Sequence, residues 1–337
     1  MFDSVLVGTF LVLIGGVSTG CFPIPMKFTR NWAWENVWLV YSVVGLLVVP
    51  WLVALATIPR LMMVYQASGT RVLVLTISFG FAWGVGNVLF GEAIPLVGVA
   101  LTFAVVAGLC AALGSLIPLV VLHPERLVQP SGLVVMLGVA ITVGGVAILG
   151  TAGREREKRL SVQGKPGLFI RGLLFCVASG ILGSMLNFSF AFGSGIAEEA
   201  VKRGVSASSG SYAIWAVAFI GGFASNGGYA ILKLIRNKTF SQFRRVGSAG
   251  SGFLAASMGV LFCAGFLLYG QGATLLGVLG PVVGWPVFQA TTIMASTAAG
   301  AASGEWRGSG RRFVSLNIAG LAMLVVAIVV LSIGNRM

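Results

Sequence analysis

A chain of 337 residues with 9% charged and 57% hydrophobic side chains cannot clothe a water-facing surface, since an average soluble domain is about 25% charged. The net charge is +13, yet the cations lie between apolar runs, the positive-inside pattern of membrane proteins rather than a nucleic-acid surface. Soluble-enzyme motifs are absent: there is no phosphate-binding loop, no G-x-S-x-G and no H-E-x-x-H.

Ten apolar runs follow in chain order, at 4–22, 37–58, 72–92, 97–122, 132–151, 168–192, 211–235, 252–271, 274–300 and 312–334. Each approaches the roughly 20 residues that a spanning helix needs. The links near Pro95 and Gly272 are very short. The chain therefore reads as an all-α polytopic membrane protein of about ten transmembrane helices in the cell (inner) membrane. Cys21, Cys110, Cys176 and Cys263 lie in or at the ends of apolar runs without metal-ligand spacing, so free thiols and neither metal nor cofactor are expected. His123, before Pro124, reads as a solvated interfacial side chain.

Charge sets the orientation. Loops after the odd-numbered spans carry Lys27, Arg30, a basic run over 154–171, a second over 233–245, and Arg307, Arg311 and Arg312. Sixteen of the 22 lysines and arginines thus fall on one side, which is expected to be cytoplasmic, with both termini on the other. The stretch Arg154–Arg159 divides the chain into a first five-helix half (1–153), a basic linker (154–167) and a second half (168–337).

The halves are related. Residues 79–98 align without a gap to 258–277, pairing Gly80 with Gly259, Gly86 with Gly265, Gly91 with Gly270 and Gly98 with Gly277. Five spans per half would invert the second copy, a recurring transporter plan with a site at the repeat interface. Glu92 pairs with Gln271, each beside a glycine where a helix break is expected. A carboxylate at membrane depth faces a polar cavity or a partner, unless its helix has already ended in water.

Asn87, Asn187, Asn226 and Gln289 are further polar residues within apolar runs. Each can bond a substrate hydroxyl or tie two helices together. With Gln271, Trp83 and Trp285 they make a set suited to a sugar, whose ring edge offers hydroxyls and whose C–H faces pack on aromatic rings. Small-residue steps such as Gly80-x-x-x-Gly84 and Gly300-x-x-x-Gly304 read as close-packing surfaces.

Several stretches together resemble the L-rhamnose–proton symporter family of the drug/metabolite transporter superfamily. They are Cys21-Phe22 through Lys27 to Trp32-x-Trp34-Glu35-x-x-Trp38, then Pro50-Trp51, Phe79-Gly80-x-x-Trp83-Gly84-x-Gly86-Asn87, Glu305-Trp306 and Gly310-Arg311-Arg312. The resemblance implies ten helices, a proton-driven cycle and a small, rhamnose-like sugar as substrate, with no enzymatic activity. Glu198 falls on a family glutamate, whereas Glu92 stands where rhamnose-transporting members carry an apolar residue, and the stretch from Gln271 to Thr292 also departs. Glu92 is the expected proton carrier on grounds of burial, with Glu198 as the alternative. Lys27 and Glu35 are the expected charge-pairing gate, set against an aromatic belt with a snorkelling lysine. An uncoupled exporter or exchanger of amino acids or other metabolites is the competing transporter reading, and a membrane-embedded enzyme or scaffold is the reading from another class. Expected partners are the sugar, protons and the bilayer, the protein being a monomer or homodimer.

Overall fold

The computed structural model describes residues 2–97, 99–159, 166–302 and 310–336. Among these, nine segments are long and apolar enough to cross a bilayer. In chain order the helices are α1 (Phe2–Cys21), α2 (Trp34–Ser42), α3 (Val49–Thr57), α4 (Leu61–Ser68), α5 (Thr70–Val97), α6 (Val99–Leu122) and α7 (Pro130–Arg159). They continue with α8 (Pro166–Gly183), α9 (Met185–Phe192), α10 (Ser194–Val201), α11 (Ala207–Asn237), α12 (Ser248–Leu275), α13 (Gly280–Ala302) and α14 (Arg311–Arg336). The fold is helical because lipid offers no hydrogen bonds, so each segment must satisfy its own backbone.

The ninth expected span is α13. Its 23 residues are long enough, but Pro281, Gly284, Pro286 and Gln289 make it less apolar than the other nine. It compensates by burial: it packs between α1 and α6, with Trp285, Phe288 and Val283 enclosed. A helix surrounded by protein needs fewer lipid-compatible side chains. Lipid-facing chemistry shows instead on α1, α12 and α14, where Phe10, Phe253 and Val329 are exposed.

Two expectations about helix breaks are corrected. α5 continues through Gly91 to Val97 and α12 through Gly270 to Leu275. One glycine costs a helix about 1 kcal/mol, less than the backbone groups that a break would leave unsatisfied in the bundle. The irregularities lie elsewhere. A π-helical turn over Val43–Val48 joins α2 to α3, with the Val49 N–H reaching back to the Val44 carbonyl. Pro50 explains it, since its ring nitrogen cannot serve the Leu46 carbonyl. The sixth span is interrupted twice, at Ser184 and at Gly193, giving α8, α9 and α10. The expected linker also differs at its edges: the backbone stays helical through Arg159 and is helical again from Pro166. Gly98, Gly304, Glu305 and Trp306 lie outside the described residues.

α1 packs on α12 and α13, and α8 packs on α5 and α6; α5 also lies along α11, as α12 lies along α2 and the π turn; α7 and α14 pack together. Glycines set the closest crossings. A methyl at Gly265 would run into the Thr19 hydroxyl and the Gly15 carbonyl of α1, and one at Gly86 would meet Leu182 and Gly183 of α8. A methyl at Gly259 would meet Gly45 of the π turn, and one at Gly80 the Ala218 carbonyl of α11.

Rings fill the interior. From Trp285 the contacts run through Phe288 (centroids 5.9 Å apart), Phe266 (5.1 Å) and Phe262 (4.8 Å) to Tyr41 (5.5 Å), Trp38 (4.9 Å) and Trp34 (4.8 Å). Aromatic pairs add about 0.5–1.5 kcal/mol each beyond simple burial. In lipid, such packing replaces the hydrophobic effect as the force that holds helices together.

A cavity between α2, α5 and α11

The aromatic spine ends at a cavity of about 260 Å³. α2 contributes Trp34 and Trp38, α5 contributes Asn87 and Glu92, and α11 contributes Tyr229 and Lys233. The helices meet here because α5 and α11 present small residues to each other. A methyl at Gly84 would strike Ser225 and come within 2.8 Å of the Asn226 amide, and one at Gly222 would lie 2.8 Å from the Trp83 ring. The Gly80-x-x-x-Gly84 surface is thus a packing surface, and it also brings two amides together.

The floor is polar. Asn87 Nδ2 donates to Asn226 Oδ1 at 2.9 Å, and Trp38 Nε1 points to the same oxygen at 3.4 Å. Asn226 is fully buried and donates to the Gly222 carbonyl at 3.0 Å. Trp83, one turn before Asn87 on α5, is buried outside the cavity lining and stacks on Phe262 with centroids 5.7 Å apart. The wall is the stacked pair Trp34–Trp38, interplanar angle 19°.

The mouth carries charge. Tyr229 Oη donates to Glu92 Oε1, and Lys233 Nζ lies 3.2 Å from the same oxygen. The lysine ammonium also sits 5.2 Å from the Tyr229 ring and 5.8 Å from the Trp34 ring. Both charged side chains are partly exposed, 38% for Lys233 and 43% for Glu92. The burial expected of Glu92 is therefore corrected: α5 runs on past Gly91 and leaves the carboxylate at the open edge of the cavity, held by two partners.

Six of the seven substrate-site side chains expected from sequence fall into two groups. Asn87 lines the cavity, with Asn226 bonded to it from behind and Trp83 one turn before it on α5. Asn187, Trp285 and Gln289 serve a separate tie. There Asn187 donates to the carbonyls of Gly114 (2.7 Å) and Pro281 (3.0 Å) and accepts from Tyr269. Trp285 Nε1 donates to the Cys110 carbonyl at 3.0 Å, and Gln289 Nε2 to the Cys110 sulfur at 3.3 Å. These bonds fasten α6, α9, α12 and α13 together. Gln271 belongs to neither group. A methyl at its neighbour Gly270 would touch Ser211, which lies 18 residues before Tyr229 on α11, about 27 Å at 1.5 Å per residue. Glu92 and Gln271 thus occupy opposite ends of the bundle and share no single site.

The remaining expected residues also find places. Glu198 is exposed on α10, while its neighbour Glu199 pairs with Lys202 at 2.6 Å and Arg203 at 2.9 Å. Glu35 is 4% exposed and accepts from Asn237 Nδ2 at 3.0 Å and Thr239 Oγ1 at 2.8 Å. The partners of Glu35 in this conformation are therefore at the end of α11, in place of the expected Lys27. Lys27 stands on a 3-10 turn, Ile24–Phe28. The segment between α1 and α2 is itself latched: Trp32 Nε1 donates to Ser248 Oγ at 3.1 Å, and the Arg30 N–H to Ser251 Oγ at 3.2 Å. The loops after the first and seventh spans therefore share one end of the bundle, as the charge pattern requires.

Tyr229 and Lys233 line the cavity without a sequence signal that singles them out. A lysine near a helix end reads as an interfacial anchor, and only its 3.6-residue register with Asn226 and Tyr229 hints that it faces inward.

Together the fold and the cavity define a multi-pass membrane protein with an open cavity lined by aromatic, amide and charged side chains. A family profile described as L-rhamnose-proton symport protein (RhaT) matches residues 1–337. The chain belongs to that family. It is 25% identical over 342 residues to the L-rhamnose-proton symporter of Mannheimia succiniciproducens, 24% over 341 residues to that of Klebsiella pneumoniae, and 26% over 341 residues to that of Cronobacter sakazakii, with 99% of each chain covered. A solved structure described only as a crystal structure of a protein shares the fold, with a TM-score of 0.55, 17% identity and coverage of 96% and 97% of the two chains.

Proposed function

We propose that the protein moves a small, rhamnose-like sugar across the cell membrane by proton symport, with the sugar in the cavity between α2, α5 and α11 and Glu92 as the proton carrier. The observation that carries this reading is the cavity itself. It offers an aromatic wall, Trp34–Trp38, for the C–H face of a sugar and the Asn87 amide, oriented by buried Asn226, for its hydroxyls, and a single carboxylate stands at its mouth. Membership of a family named for rhamnose–proton symport supports the same reading. Glu198 is the weaker carrier candidate, since it stands exposed beyond α9 and away from the amide floor.

Two inverted five-helix halves are part of this reading, as in the drug/metabolite transporter superfamily. The helix contacts support it: α1 on α12 and α13 answers α8 on α5 and α6, and α12 on α2 answers α5 on α11. The paired glycines support it too, because Gly86 and Gly265 mark the first kind of crossing and Gly80 and Gly259 the second. Gly91 and Gly270 do not match, one in open space and the other pressed on Trp215 and Ser211. A carrier open at one end and closed at the other has that asymmetry. The Lys- and Arg-rich end, where the cavity mouth lies, is cytoplasmic in this reading.

The test is uptake of labelled sugars, L-rhamnose included, into proteoliposomes with and without an inward proton gradient. Gradient-driven accumulation is expected. Equal uptake in both conditions supports an uncoupled carrier instead, and no sugar uptake at all removes the substrate class.

A further inference from the structure

Lys233 stands on α11 next to one carboxylate and one helical turn before the side chain that holds another. The first is Glu92 of α5, at 3.2 Å. The second is Glu35 of α2, bonded to Asn237 of α11. Glu35 is held by Asn237, one turn beyond Lys233 on the same face of α11, and its neighbour Trp34 has the lysine ammonium over its ring. Glu35 is also nearly excluded from water while its hydrogen-bond donors, Asn237 and Thr239, are neutral. A buried carboxylate is costly without a cation. The site therefore holds one wetted acid that has the lysine and one buried acid that lies one helical turn away from it.

We propose that Lys233 is a sliding counter-cation: it rests on Glu92 while that carboxylate is charged and passes to Glu35 when Glu92 takes up a proton. This rests on the reading of Glu92 as carrier and adds the part that links the proton to the sugar. A proton from water at the mouth binds a Glu92 oxygen and removes the negative charge. Lys233 stays protonated throughout. The groups that act on it are Glu92 on α5, the Tyr229 hydroxyl and ring on its own helix, the Trp34 ring and Glu35 on α2, and the Arg171 charge from α8 near Glu92. Once Glu92 is neutral, Glu35 is, among the described residues, the carboxylate held one turn further along the same face of α11. The ammonium then vacates space over Trp34 that a sugar ring can occupy. Proton and sugar thus favour the same arrangement, which is what positive coupling between two ligands requires. Lys233 is in this scheme a positioning residue that acts through Glu92.

The test compares proton-driven L-rhamnose accumulation with rhamnose exchange in the same proteoliposome preparation, for the wild type, E92Q, K233M, K233R, E35Q and the double variant E35Q/K233M. Accumulation relative to exchange is expected to be lost in K233M and in E35Q and restored toward wild type in K233R, with the double variant no worse than either single. Normal coupling in E35Q or K233M overturns the sliding cation while leaving Glu92 as carrier. Normal coupling in E92Q overturns the carrier assignment itself. A second measurement needs no variant: acylation of Lys233 relative to exposed Lys202 in the wild-type protein, read by mass spectrometry. Acidification with rhamnose present is expected to lower that ratio as Lys233 moves to the buried Glu35, and an unchanged ratio also overturns the proposal.

Discussion

Lys233 of α11 and Glu92 of α5 meet at 3.2 Å, at the open mouth of the cavity and not in its floor. Both side chains reach water, and an ion pair of that kind stabilises a fold by only about 0–1 kcal/mol. In the proposed cycle the pair acts by being broken and remade. Glu92→Gln is accordingly expected to leave the melting temperature in detergent close to wild type while abolishing substrate-driven proton movement. Proton movement at normal stoichiometry in this variant rules the carrier role out.

The amide floor makes a different prediction. Asn226 is fully buried and its oxygen is shared by Asn87 and Trp38. Asn226→Leu removes that acceptor and leaves two donors aimed at hydrocarbon, a cost of about 1–3 kcal/mol per unsatisfied group. Rhamnose KM is expected to rise about tenfold, the equivalent of roughly 1.4 kcal/mol. Asn187→Leu, in the distant tie to Tyr269 and Gly114, is expected to lower thermal stability with a smaller change in KM. Equal KM effects for the two variants contradict the division into two groups.

The aromatic wall is testable through Trp34 and Trp38, which stack with centroids 4.8 Å apart. Trp38→Ala removes the ring contact and the indole donor to Asn226 together. Trp38→Phe keeps a ring, and aromatic pairing of this kind contributes about 0.5–1.5 kcal/mol. The expected order of rhamnose affinity, from equilibrium binding to the solubilised protein, is wild type, then Trp38→Phe, then Trp38→Ala. Identical affinities in all three place the sugar elsewhere.

The paired crossings predict paired penalties. Gly265→Ala pushes a methyl against Thr19 and Gly15, and Gly86→Ala pushes one against Leu182 and Gly183. Overpacking typically costs about 1–3 kcal/mol, so both variants are expected to unfold at lower temperature. Gly91→Ala meets open space and is expected to match wild type or exceed it, since Ala favours helix by about 1 kcal/mol over Gly. A destabilised Gly91→Ala would mean that the mouth of the cavity is closed in the membrane.

Topology gives the last prediction. A reporter that is active only outside the cytoplasm is expected to work when fused after Met337. Activity of a cytoplasm-only reporter at that position reverses the orientation, and with it the side to which the Glu92–Lys233 mouth opens.

Much of the fold was legible in the sequence, because a lipid environment imposes its rule residue by residue. Apolar runs had to be helices, and spacing marked Gly80 and Gly84 as a packing surface, whereas Gly86, Gly259 and Gly265 showed only as repeat pairs until the structure placed them at crossings. Helix termination was less legible, since Gly91 and Gly270 looked like breaks while Pro50 and Gly193 marked the real irregularities. A glycine's effect depends on what the neighbouring helix offers, which hydropathy does not encode. For the site, the polar residues were visible one by one, but their grouping was not. Asn87 and Asn187, or Glu92 and Gln271, look equivalent along the chain. Only the packing of α5 on α11, and of α9 against α6 and α13, decided that Asn87 lines the cavity floor while Asn187 fastens helices. Lys233 shows the same limit most plainly: its charge and its place near a helix end are read from the chain, but its meeting with Glu92 and Trp34 brings α11 against two helices more than a hundred residues earlier in the chain.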